Sequence, residues 1–96
     1  MAAYVIVQER IDDPEMFEEY KGRVLPTLEP FGGRFLVRGG HYTVLEGDWA
    51  LERTAMLAFD SREKAEGWYH SEAYQKILPL RTKCGESNLI IIDGVE

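Results

Sequence analysis

The chain has 96 residues, 45% of them hydrophobic and 29% charged, with 17 acidic against 11 basic side chains and a formal net charge of −6. That length sets one domain, residues 1–96, whose small core gains from a partner. An acidic surface repels phosphate backbones and anionic bilayers, so neither nucleic acid nor membrane is an expected partner.

Residues 3–10 read as a strand. Tyr4, Val5, Ile6 and Val7 are apolar on both faces, which predicts a central strand covered on each side. Asp13 then suits a helix N-cap and Pro14 the first helical position. Phe17, Tyr20, Val24 and Leu28 follow at spacings of three and four and mark one buried helix face. Pro26 removes a backbone donor, so the helix is expected to run from Pro14 to about Leu25, with a looser turn ending at Gly32-Gly33.

Residues 33–38 form a second strand, and 42–46 read as its antiparallel return through a two-residue Gly39-Gly40 turn. In that register Phe35 and Val37 share a face with Tyr42 and Val44. Arg34, Leu36 and Arg38 share the other with His41, Thr43 and Leu45. A three-residue turn would pair Arg34 with Glu46 but mix apolar and polar faces, so the first register is preferred. After a loop at residues 47–49, residues 53–59 are a strand again apolar on both faces.

Asp60 or Ser61 caps the next helix, with Glu63 placed for a capping box with Asp60. Ala65, Trp68 and Tyr69 lie on one side of it. His70-Ser71 reads as a joint, with Ser71 capping a further helical segment that carries Tyr74, Ile77 and Leu78 and stops before Pro79. Residues 84–87 read as a loop and 89–93 as the last strand. Cys84, the only cysteine, excludes an intrachain disulfide and reads as a free thiol in a reducing compartment. No secretory signal pattern is visible and the aliphatic run at 89–92 is too short to span a bilayer, so a cytoplasmic location is expected.

The order β-α-β-(β)-β-α-β fits an α+β, ferredoxin-like split βαβ sandwich with an antiparallel sheet. Two helices cover one face of such a sheet, yet several strands are apolar on both. A homodimer packed through the sheet faces is therefore expected.

The blocks FGGRFLVRGG, LEGDW, FDSREKAEGWYHSEAYQ and ILPLR, which together span nearly the whole chain, resemble the short bacterial proteins called "domain of unknown function 1330". The resemblance implies the dimeric α+β barrel superfamily. That superfamily includes cofactor-free monooxygenases of aromatic substrates, haem-degrading and haem-using enzymes, and small isomerases. It brings no shared catalytic motif to these residues, so function is argued from the site.

Arg34 and Arg38 lie four residues apart on a strand, roughly 13 Å, too far to grip one carboxylate together. Arg38 beside Gly39-Gly40 is the better anion site: one guanidinium fork with backbone N–H groups nearby. The plainer alternative is an ion pair with an acidic residue. His41, on the Arg38 face in the preferred register, is the candidate proton-transfer residue; its plainer reading is an exposed turn histidine. Trp68 and Tyr69 are candidate walls for a flat ligand, or core packing. Trp49 reads as a dimer contact or a lid.

His41, His70, Cys84 and Glu46 are scattered singly, so no metal site is expected. No cofactor is implied. RGGH lacks the lysine and the spacing of a phosphate loop. Two functional readings follow. One is a cofactor-free, oxygenase- or isomerase-like enzyme acting on a small aromatic or carboxylated molecule between sheet and helices. The other is a non-catalytic, ligand-binding or stress-associated dimeric module.

Overall fold

A computed structural model describes every residue from Met1 to Glu96. The elements are β1 (Ala3–Ile11), α1 (Pro14–Leu28), a 3-10 turn (Glu29–Phe31), β2 (Arg34–Arg38), β3 (Arg53–Phe59), α2 (Arg62–His70), α3 (Glu72–Thr82) and β4 (Gly85–Asp93). The four strands form one antiparallel sheet in the order β2-β3-β1-β4. This is the α+β, ferredoxin-like arrangement expected from the order of elements.

The helix starts follow the sequence closely. Asp13 accepts from the Met16 N–H at 3.1 Å with Pro14 behind it, and Ser71 accepts from Tyr74 N–H at 3.2 Å. Ser61, not Asp60, caps α2, accepting from Lys64 N–H at 3.2 Å. The helix ends do not follow it. α1 continues through Pro26 to Leu28, and α3 through Pro79 to Thr82. Both prolines sit on the exposed side, while Thr27, Leu28 and Arg81 beyond them are buried. Burial of the following turn outweighs one missing backbone bond.

The helices cover one face of the sheet. Ala3, Val5 and Val7 of β1 and Ala55, Leu57 and Phe59 of β3 point into this layer and meet Phe17, Val24, Leu28, Trp68, Tyr74 and Ile77. On the other face Tyr4, Ile6 and Met56 are partly exposed, and Ile90 and Ile92 are about half exposed. The chain is a slab of 31 × 30 × 16 Å, the thickness of a sheet with one helical layer. No helix is long and apolar enough to cross a membrane.

The expected hairpin is absent. Residues 42–46 are not a strand, and β2 pairs directly with β3. Gly39 adopts a φ of +74° and donates its N–H to Thr54 O at 2.9 Å. This steers the chain off the end of β2 and across the open sheet face, where Trp49 Nε1 donates to Thr54 Oγ1 at 2.9 Å. The alternation within β2 breaks as well. An irregularity between Phe35 and Val37 puts Phe35 opposite Leu57 and Arg38 opposite Ala55, while Val37 faces Met56. One extra residue turns Arg38 to the helix side, away from the face shared with Arg34 that strict alternation predicts. β4 also starts earlier than expected, because residues 85–87 pair with Glu9, Arg10 and Ile11.

Candidate functional site

The inward positions of the sheet are apolar at one end and polar at the other. Glu9 follows Val5 and Val7 on the inward side of β1, opposite Arg53 of β3 and Ser87 of β4. Glu9 is only 4% exposed, and its Oε2 accepts from Arg53 Nη1 at 2.8 Å. Arg53 also stacks over the Phe17 ring at 4.7 Å. A buried carboxylate requires such a partner, because burial strips it of the water that would otherwise solvate it.

A second buried chain lies alongside. The Tyr20 and Tyr74 hydroxyls are 2.9 Å apart, Arg81 Nε donates to Tyr74 Oη at 3.4 Å, and Arg81 Nη1 donates to Ser87 Oγ at 2.7 Å. Burial, reinforced by the neighbouring Tyr74, holds the Tyr20 phenol far above its ordinary range. Arg81 is 4% exposed and has no carboxylate within ion-pair distance. Burial also raises the Cys84 thiol, which donates to Arg81 O at 3.1 Å.

Between helices and sheet lies a cavity of about 20 Å³, lined in part by Glu9, Phe17, Tyr20, Trp68 and Tyr74. That is room for roughly one water molecule. Its mouth widens into a polar groove among Glu18, Lys21, Gly22, Arg38 and Arg53. Lys21 is paired with Glu18 at 3.0 Å. Arg38 has no acidic partner; it lies 4.5 Å over the Phe35 ring and gives one N–H to Lys21 O at 3.0 Å. Arg38 is an exposed residue that lines this groove.

The sequence-derived residues divide among three surfaces. Arg38 and Trp68 both line the interior cavity, and Arg38 also lines the polar groove. Gly40 and His41 line a groove on the opposite, open face of the sheet, so a single chain does not bring His41 to Arg38. Gly39 presents no free amide, its N–H being bonded to Thr54 O. Tyr69 lines a third groove with Arg62, Arg81 and Ser87. Glu9, Arg53 and the Tyr20–Tyr74 pair join the site without belonging to any sequence motif. Their signal was parity: Glu9 and Arg53 occupy the inward alternation of otherwise apolar strands.

The family model described as "Domain of unknown function (DUF1330)" matches residues 2–95. The chain belongs to that family. No curated protein matches its sequence. Among solved structures, this DUF1330 protein is similar to a protein of unknown function from Rhodopseudomonas palustris, with a TM-score of 0.77 and 16% identity over 99% of this chain and 83% of that one. It is similar to SnoaB, a cofactor-independent oxygenase from Streptomyces nogalater, with a TM-score of 0.66 and 8% identity over 99% and 94%. A dimeric ferredoxin-like protein of unknown function from Jannaschia sp. CCS1 gives a TM-score of 0.66 and 8% identity over 98% and 100%. At these identities the likeness is one of fold.

Proposed function

We propose that this DUF1330 protein is a homodimer, packed sheet to sheet, that binds a small aromatic or carboxylated anion at the groove between sheet and helices. The observation that carries the reading is Arg38. It is an arginine without an acidic partner, held over Phe35 beside Arg53, at the mouth of a cavity walled by aromatic rings. A guanidinium so placed offers a fork to a carboxylate, and the rings behind it suit a flat apolar body. The open sheet face and the dimeric ferredoxin-like neighbour support the homodimer.

The enzyme reading is cofactor-free turnover of the bound molecule, oxygenase- or isomerase-like. It draws on the fold shared with SnoaB and on the hydroxyl pair of Tyr20 and Tyr74 beside the Glu9 carboxylate, groups able to hold or pass a proton. His41 enters this reading only as a residue of the opposite face. The non-catalytic binding reading is favoured by the cavity's size, since a ring enters only if side chains at its mouth swing aside.

The test is a benzoate titration followed by NMR. Saturable shifts in Phe35, Arg38 and Arg53 are expected. Arg38→Ala should weaken binding about tenfold or more, the worth of one charge-assisted hydrogen bond, and Arg34→Ala should leave it unchanged. Equal binding by all three proteins would refute the Arg38 site. Turnover by the wild type, lost in Tyr20→Phe, would separate the enzyme from the binding module.

A further inference from the structure

We infer that the groove between α2, α3 and the edge strand β4 is a second anion site, in which Arg81 and Ser87 receive the carboxylate of a small apolar acid. This groove shares no residue with the polar groove around Arg38, and the inference does not depend on that one.

Arg81 is a buried cation without a counter-charge. It is 4% exposed, and its bonds go to neutral hydroxyls: Nε donates to Tyr74 Oη at 3.4 Å and Nη1 to Ser87 Oγ at 2.7 Å. Glu9, whose negative charge reaches Arg81, is already bonded to Arg53. Buried charges are ordinarily paired, because neutral partners offset only part of the lost solvation. A purely structural tie between α3 and β4 would need no charge at all.

Two of the five N–H donors of a guanidinium are used in these bonds, and Nη2 has no partner in the chain. No fully buried side-chain nitrogen or oxygen in the protein lacks a hydrogen bond. Nη2 is therefore not sealed in the core; it opens on the one groove that Arg81 lines. Ser87 lines the same groove. Its Oγ accepts from Arg81, so its own hydrogen points elsewhere and is free to donate. Two donors thus lie side by side, an arrangement that the two oxygens of a carboxylate complete.

The rest of the groove sets the class of ligand. No acidic residue lines it. Arg62, its other cation, is bonded to Asp93 at 2.9 Å and to Glu66 at 3.3 Å. One uncompensated positive charge remains, which suits a monoanion better than a phosphate dianion. Tyr69, Leu89 and Ile91, all partly buried, add apolar wall. The groove measures about 490 Å³, the size of a small-molecule site.

Titration of the whole chain with isobutyrate, followed by amide NMR, tests the site. Saturable shifts are expected at Tyr69, Arg81, Ser87 and Leu89, with the same affinity in Arg38→Ala. Arg81→Met keeps the buried volume and removes the charge, and should weaken binding about tenfold or more. Where that variant does not fold, Arg81→Lys, which keeps the charge and loses the fork, should fold and weaken binding about threefold or more. Inorganic phosphate should shift the same amides more weakly. No saturable shift in the wild type, or unchanged affinity in the Arg81 variant, would overturn the site. Shifts that vanish in Arg38→Ala would also overturn it, by assigning the anion to the Arg38 groove. Phosphate binding tighter than isobutyrate would overturn the carboxylate class.

Discussion

Arg53 and Glu9 sit directly opposite one another on neighbouring strands, and their side chains meet at 2.8 Å beneath the helices. The pair is unequal. The Glu9 side chain is 5% exposed and that of Arg53 21%, so the arginine reaches the groove while the carboxylate stays inside. Arg53→Ala therefore leaves a buried, uncompensated charge and should cost about 3 kcal/mol, the lower end for a broken buried pair. Glu9→Gln keeps a polar partner for Arg53 and should cost about 1 kcal/mol. Urea denaturation of both variants measures the difference. Losses that are equal and below about 1 kcal/mol would show that solvent screens the pair.

Phe35 holds Arg38 in place through the contact of its ring with the guanidinium. Phe35→Leu should keep the apolar volume, lose the ring face and weaken benzoate binding about threefold, given roughly 0.5–1 kcal/mol for an exposed cation–π contact. In an Arg38→Ala background the same change should have no further effect. A double-mutant cycle by calorimetry tests this coupling; additive losses would show that Phe35 acts on the ligand independently of Arg38.

Much of the fold was legible because composition, caps and punctuation agree locally: Asp13-Pro14 and Ser71 cap the helices they suggest, and the two-faced apolar run Tyr4 to Val7 lies in a central strand. The errors share a cause. Pro26 and Pro79 looked like stops because local rules cannot see that Leu28 and Arg81 are buried by other elements. The hairpin looked secure because residues 42–46 have strand character, whereas in the structure β2 pairs with β3 and Gly39, bonded to Thr54 O at a positive φ, turns the following segment away from β2. A one-residue irregularity in β2 then moved Arg38 to the helix side, which no periodicity argument anticipates. Arg38 and Trp68 converge on one cavity, whereas His41 and Tyr69 go elsewhere.

Stability should fall on the alkaline side in a way that two residues control. The native pKa values of Cys84 and Tyr20 are both raised by burial, from ordinary values of 9.0 and 10.0. The folded state thus keeps protons that the unfolded chain releases. Their contribution is fully present at neutral pH and is lost as pH rises past about 9 for the thiol and about 10 for the phenol. Each group then steepens the loss by about 1.4 kcal/mol per pH unit. Denaturant midpoints between pH 7 and 11 should fall less steeply for Cys84→Ala and Tyr20→Phe, although both variants start from lower stability at pH 7. A wild-type slope matched by both variants would show that other groups govern the alkaline limb.

Two glycines should respond to alanine in opposite directions. Gly22 lies on the exposed side of α1, and a Cβ there would meet nothing within 4 Å. Gly22→Ala removes backbone freedom from the unfolded chain and should stabilise by about 0.5–1 kcal/mol. Because Gly22 lines the groove beside Arg38, the same variant also reports whether a bound anion reaches that wall. Gly85 begins β4 against the Arg10 carbonyl, and a Cβ would collide with that main-chain oxygen, which no rotamer change relieves. Gly85→Ala must displace β4 from β1 where the two strands first pair, and should cost more than about 2 kcal/mol. Thermal melts at matched concentration distinguish the cases. A Gly85→Ala protein as stable as wild type would mean that the β1–β4 junction yields without cost, and the early start of β4 would then contribute little to the fold.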